Sequence, residues 1–412
     1  MIRFKYLCIL LMICVLTGCA HHNTKEDSNP DDLQYINLNN SMTDSVFLSC
    51  MNGIHYEDLL NNTRIYACSQ LDCTHMPNSG CMVYPDVKKN EGLFSYPFIY
   101  NDKLYYFDTR PDNNIILNRS QLDGSNKEAL AEQKLSSLQG TNALRVGSKL
   151  YYWGAWEDTE ITEDGYVDLL SVDYEIYEVD LETGTIRKLS SFGTYYNYNV
   201  YNLIYSDGSL YFSYLVQKKS WADIPYINPT ERLDFVSNSN QEEIIELLDM
   251  QAMIGSLNIS TGNQRTDPVD FPCNIVAATK DRIFIQTEDE LISYDKNWVD
   301  KTIEYVNKNN TDDSGFSVEL LDSRMVFRTW DGFEKPMKYY IWDDTKNAFV
   351  DLKLDLDYGI QFQNCSKNKL LIAKTPLKAS SMSDEWSYIL ADKEKFFKGE
   401  LTFTDVEVNL ND

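Results

Sequence analysis

The sequence predicts an all-β fold: a β-propeller of about seven four-stranded blades, with six or eight also compatible, and one helical insertion. Three observations predict it. Aromatic residues make up 13% of the chain, with 28 tyrosines, and aromatic and β-branched side chains favour strands over helices. One alternating strand pattern recurs along the whole chain. A second strand pattern, ending in a turn, usually follows each recurrence.

The first pattern is a small or polar turn followed by alternating apolar and aromatic residues. It occurs as DSVFLSC (44–50), DKLYYFD (102–108), SKLYYWG (148–154), GSLYFSY (208–214), DRIFIQT (281–287), SRMVFRT (323–329) and NKLLIAK (368–374). Period-two alternation is the mark of a strand. The second pattern includes ILNRSQLDGSN (116–126), EIYEVDLETGT (175–185), MIGSLNISTGN (253–263), ELISYDKN (290–297), MKYYIWDDTKN (337–347) and WSYILADKEK (386–395). Its Asp-Gly, Thr-Gly and Asp-Lys-Asn ends suit tight turns. A further strand follows in places, as at 185–192 and 348–354. Units of about 45 residues with four strands each are the signature of a propeller, because one small sheet cannot bury both of its faces alone.

The longest departure from this spacing is an insertion at 217–252. Within it, SNSNQEEIIELLDMQAMIG (237–255) predicts a short amphipathic helix, N-capped by Asn240, with acids in the first turn and Ile244, Leu247, Leu248 and Met250–Ile254 on one side. Such a helix either packs on its own blade or caps the ring and meets a partner.

The N-terminus predicts an address. Arg3 and Lys5 precede an apolar run, Tyr6–Leu16, which is shorter than the roughly 20 residues needed to span a bilayer. A basic start, a short apolar core and small residues describe a signal peptide. Leu16-Thr17-Gly18-Cys19 resembles the L-x-G-C lipobox of bacterial lipoproteins. That resemblance implies removal of residues 1–18, a diacylglyceryl group on the Cys19 sulfur and, through its fatty acyl chains (palmitate or similar), anchoring at the extracytoplasmic face of the cell membrane. Residues 19–32 then read as a tether and 33–412 as the propeller.

Within the propeller region, YNDKLYYFDTR and ILNRSQLDGSNKEAL (100–130) resemble a repeat of the propeller lipoproteins of gut Clostridia and relatives, a group of unknown function. The LDGSN turn is similar to that of the YWTD propellers of lipoprotein receptors. The resemblance is strongest over 94–190; the stretch 283–303 departs from it in lacking the glycine turn. It implies a fold and an address.

The chain carries 37 Lys and Arg against 63 Asp and Glu, a net charge of −26. Such a surface is repelled by nucleic acid and by anionic lipid, so nucleic acid is excluded as a partner and the lipid has to hold the protein to the membrane.

CSQLDCTHMPNSGC (68–81) gathers Cys68, Cys73, His75 and Cys81. Three thiolates and an imidazole satisfy a structural zinc ion. An extracytoplasmic address equally permits disulfides, Cys68 or Cys73 with Cys81 and Cys50 in a second bridge, and free thiols are the third state. The lipoproteins resembled above carry a similar C…DC.H….C segment. In either leading reading the segment staples the first blade to the next. Cys273 and Cys365 fall in strand-like stretches and read as small core residues.

No H-E-x-x-H, G-x-S-x-G or G-x-x-x-x-G-K occurs, and the four histidines are His21, His22, His55 and His75. Asp312-Asp313-Ser314-Gly315 and the Asp355, Asp357 pair do not fit an EF-hand loop and read as solvated turns. Tyrosines crowd FGTYYNYNVYNLIY (192–205), with Trp153 nearby, mostly as strand faces; Trp156 and Trp221 fall in inter-strand loops, where an aromatic ring can stack on a sugar or peptide. The expectation is a lipid-anchored surface propeller that binds a ligand or protein partner without catalysis. The alternatives are a carboxylate-dependent enzyme acting on glycans, and a structural or accessory subunit of an envelope complex docking through 217–255.

Overall fold

A computed structural model describes residues 33–408, apart from 52, 77–80, 82, 86–90, 162–166, 196, 220–240, 270–272, 309–313, 322, 333–334, 355 and 377–385. Residues 1–32, expected to hold a signal peptide, Cys19 and a tether, and Asn240, Asp312, Asp313, Asp355 and Trp221 lie outside the described residues.

The chain from Leu33 forms seven antiparallel sheets, each built from consecutive strands. A first strand, β1 (Leu33–Asn37), precedes them. Blade 1 is β2 (Asn40–Thr43), β3 (Val46–Ser49), β4 (His55–Asp58) and β5 (Thr63–Tyr66). Blade 2 is β6 (Leu93–Tyr100), β7 (Lys103–Thr109), β8 (Asn114–Gln121) and β9 (Glu128–Lys134). Blade 3 is β10 (Ser137–Val146), β11 (Lys149–Ile161), β12 (Val167–Asp180) and β13 (Ile186–Tyr195). In blade 4, β14 (Asn197–Val200) and β15 (Ile204–Ser206) share the inner position, followed by β16 (Ser209–Gln217), β17 (Met250–Asn258) and β18 (Gln264–Val269). Blade 5 is β19 (Cys273–Ala278), β20 (Arg282–Thr287), β21 (Glu290–Asp295) and β22 (Lys301–Val306). Blade 6 is β23 (Ser314–Leu321), β24 (Arg324–Asp331), β25 (Lys338–Asp343) and β26 (Ala348–Asp351). Blade 7 is β27 (Tyr358–Cys365), β28 (Lys369–Pro376), β29 (Ser387–Asp392) and β30 (Phe403–Val406).

Each of the seven first-pattern segments is the second strand of a blade. Their alternation works because both faces of that strand are covered: Leu104, Tyr105, Tyr106 and Phe107 of β7 are all buried. Asn101 and Asp102, between β6 and β7, both take left-handed φ (47° and 56°), as a two-residue hairpin turn requires. The turn between third and fourth strands has its own device. Asp58, Asp180, Asn258, Asp295, Asp343 and Asp392 end the third strand in six blades, and each side-chain oxygen accepts a backbone N–H from the turn that follows.

The ring closes without a shared strand. Met42, Phe47 and Leu59 of blade 1 pack on Leu371, Leu390 and Val406 of blade 7. Asn364 donates to Asn40 at 2.8 Å and Asn368 to Asp44 at 3.1 Å across the same seam.

Two expectations need correction. The helix of the insertion, α1 (Gln241–Leu247), is shorter than its pattern predicts. Met250–Ile254 belong to β17, because they pair in register with β16, Gln217 opposite Met250 and Ser213 opposite Ile254; a ladder of backbone bonds on both sides outcompetes a helical turn. Leu248 is buried against Ile244, Leu247 and Met250, so the described part of the helix packs on its own blade. The stretch 386–395 ends in a one-turn helix, α2 (Lys393–Phe396), N-capped by Asp392, where a plain turn was expected.

Candidate metal centre and axial cavity

Two places concentrate chemistry. The first lies in the connector between β5 and β6. Cys68, Cys73, His75 and Cys81 bring their ligand atoms within 4.8 Å of one another. The backbone curls to allow it: Asp72 and His75 both have left-handed φ, 59° and 50°. His75 Nδ1 stands 3.5 Å from Cys81 Sγ, and the ring stacks on Tyr66 at 4.6 Å. Cys81 is buried with Leu48, Ile54 and Val83 against Phe94, Leu104 and Tyr106 of blade 2, and Cys68 and Cys73 pack at the edge of that core. The backbone N–H of His75 holds the Cys73 thiol below its usual range, whereas burial first, and then the neighbouring sulfurs, push Cys81 up to about 12. Cys50 stands outside the group; its thiol donates to the Phe94 carbonyl at 3.4 Å, and burial pushes it up to about 12. All six described cysteines are separate thiols.

Behind the cluster sits a buried polar group that the sequence reading missed. His55, 1% exposed, donates from Nδ1 to the Gly53 carbonyl at 2.9 Å. Its other nitrogen faces Glu57 at 3.5 Å, and Arg64 reaches the same carboxylate oxygen at 2.6 Å. Burial would raise the Glu57 carboxyl, but His55 and Arg64 outweigh it and the net direction is down. The available signal was the alternation H-Y-E-D, which places His55 and Glu57 on one strand face.

The second place is the ring axis. β1 pairs antiparallel with β10, Leu33 opposite Val146 and Asn37 opposite Asn142, so the chain runs along the axis before entering blade 1. Beside it remains a cavity of about 270 Å³ lined by Tyr35, Asn37, Asn202, Glu319, Gln363 and Cys365 among others. Asn142 spans blades 3 and 4, exchanging two 3.0 Å bonds with the Leu203 backbone. Among the lining residues Glu319 is the single carboxylate. Burial raises it, and Arg328, 3.2 Å away, opposes that. Cys365 lies on β27 facing this space, with its thiol pushed by burial up to about 12; Cys273 is a buried residue of β19, as expected. Isolated Asn residues inside otherwise apolar inner strands were the signal for this site.

Of the two tryptophans expected at a ligand face, Trp156 is 43% exposed. It does not lie in an inter-strand loop as expected: it is a residue of β11, paired with Asp173 of β12 and one position beyond Ala155, the last residue opposite β10, because the β11–β12 ladder continues past the inner strand. Trp153 is buried in the core with Tyr174, Phe192 and Phe212. Tyr205 is half-buried and packs on the same core.

The seven-sheet ring defines the chain as a β-propeller. No protein-family model matches it, and no curated protein matches it in sequence. Solved structures do share its fold. A puromycin-hydrolysing peptidase from Mycobacterium tuberculosis aligns with TM-score 0.50 and 10% identity, covering 93% of this chain and 55% of the peptidase. The β-propeller domain of the Trilobed protease from Pyrococcus furiosus aligns at 0.45 and 12%, covering 92% of this chain and 100% of that domain. An uncharacterised Listeria monocytogenes protein aligns at 0.45 and 10%, covering 77% and 82%. This chain spans about half the length of the peptidase. At these identities the likeness is one of fold.

Proposed function

We propose that the protein is a lipid-anchored surface propeller that binds a ligand or partner without catalysis, with residues 1–18 as signal peptide, Cys19 as the acylated residue, 19–32 as tether and the remainder as the binding domain. The observation that carries this reading is the polarity of β1. Leu33 lies opposite Val146, immediately before the Gly147-Ser148 turn, so the chain enters the ring from the face that holds the turns between first and second strands. Those turns and the capped turns between third and fourth strands share that face. The opposite face carries the described parts of the connector between β5 and β6, with the cysteine cluster, and α1, which lies between β16 and β17.

A diacyl anchor supplies the two chains that stable attachment needs.

The test uses membrane fractionation and a glycan panel. Cys19→Ala should release the protein from the membrane fraction; retention defeats the lipid anchor. Turnover of a glycan panel that vanishes on Glu319→Gln would instead favour an enzyme.

A further inference from the structure

The binding reading leaves the 68–81 cluster without a role. We propose that Cys68, Cys73, His75 and Cys81 hold one zinc ion, through three thiolates and His75 Nδ1, as a closed structural site that clasps blade 1 to blade 2. This inference is independent of the lipid anchor.

The donor set and its spacing carry the proposal. Zinc binds sulfur at about 2.3 Å and imidazole nitrogen at about 2.0–2.1 Å in a tetrahedron, whose edges are then about 3.8 Å between sulfurs and about 3.5 Å from sulfur to nitrogen. His75 Nδ1 and Cys81 Sγ stand 3.5 Å apart, and all four donor atoms lie within 4.8 Å of one another, so a small contraction completes the shell. Four protein ligands leave no open position, which marks a structural site and not a catalytic one. Three soft sulfurs disfavour calcium and magnesium.

The surroundings show why a clasp is needed. The connector runs from the last strand of blade 1 to the first of blade 2. Two of its apolar side chains remain in water, Leu71 at 93% exposed and Met76 at 59%. Only Ala67, Cys81 and Val83 among its described residues are buried, at its two ends, so the exposed middle around Leu71 gains most from a metal ion that fixes its shape. His75 is held for the task by the Tyr66 ring, which meets His55 edge-on at 5.8 Å.

The test is metal analysis of the full chain purified without chelator or added thiol, with thiol titration in denaturant before and after chelation. One zinc per chain is expected, with Cys68, Cys73 and Cys81 becoming reactive once zinc is removed. Cobalt(II) replacing zinc should give thiolate-to-metal charge-transfer absorption. His75→Ala should weaken zinc at least tenfold while His75→Cys, which restores a fourth donor, retains it; Cys273→Ser should leave zinc unchanged. A metal-free protein with reactive thiols, a disulfide among the three cysteines, or equal zinc retention in His75→Ala and His75→Cys would each overturn the site. The His75 pair keeps the test decisive if a cysteine variant fails to fold.

Discussion

Blades 1 and 3 solve the same problem with unequal means. The strands of blade 1 are four residues long, while those of blade 3 run from ten to fourteen. Blade 3 shares both its faces with its neighbours: Trp153, Tyr174 and Ile176 pack with Leu210 and Phe212 of blade 4, and Leu150, Tyr152 and Val179 with Phe98 and Phe107 of blade 2. Blade 1 does the same with shorter strands. One face is completed by blade 7 and the other by the cysteine connector and blade 2. A propeller tolerates a small blade when its neighbours supply the missing apolar area, and a metal clasp is the economical way to fix such a blade in place.

The sharpest challenge to this comparison is to hollow out the strong blade. Trp153 is fully buried and its ring contacts Phe192 at 5.1 Å and Phe212 at 5.5 Å. Trp153→Ala should cost about 3–5 kcal/mol, read as a lower urea midpoint. A loss under about 1 kcal/mol would mean that blade 3 is not the stable end of the ring.

If the cysteine cluster holds zinc as proposed, removing it should act on blade 1 alone. Chelation, or Cys73→Ser, should speed amide exchange in β2–β5 at least tenfold and leave β10–β13 unchanged, because local opening tracks local contacts. Uniform acceleration in both blades would show that the clasp stabilises the ring globally and that blade 1 has no special dependence on it.

How much of this was legible in the sequence depends on periodicity. The second strand of each blade is covered on both sides and alternates cleanly, so DKLYYFD and its relatives marked all seven blades. The inner strands were not read, because they line the axis and mix apolar residues with Asn, as in NSMT of β2. β1 was invisible for another reason: LQYIN is too short to signal a role, and its axial position is set by β10, more than a hundred residues away. The cluster at 68–81 was legible as a group of donors in a short loop. The His55–Glu57–Arg64 group was not, because only the folded sheet brings Arg64 of β5 opposite Glu57.

A smaller effect separates the blades by pH. Asp180 caps the third turn of blade 3 and meets Lys149 at 2.6 Å. The Lys149 ammonium, with the turn N–H groups, holds its carboxyl down at about 2. Its folded value lies below the unfolded value of about 3.9. The contribution is therefore fully present above that value and is lost as pH falls towards 2. Asp180→Asn should cost about 0.5–1 kcal/mol at pH 7 and clearly less at pH 2, where about half of the carboxyls are protonated, in urea titrations at the two pH values. A cost that persists unchanged in acid would assign the effect to packing and not to charge.

The smallest effect on stability is expected where the largest effect on function lies. Trp156 belongs to the strong blade but stands beyond its core, on the β11–β12 ladder. It pairs with Asp173 and is nearly half exposed, so it contributes little to the fold and is free to offer area to the proposed ligand. Exposed substitutions away from caps and cores usually stay within about 0.5 kcal/mol, and Trp156→Ala should do the same in a urea titration. The test of its role is affinity: once a ligand is identified, the variant should bind it at least tenfold more weakly, the loss typical of a well-packed aromatic contact. Unchanged affinity would move the binding surface off the blade 3 hairpin and towards the 67–92 connector, where Leu71 and Met76 offer the next exposed apolar area.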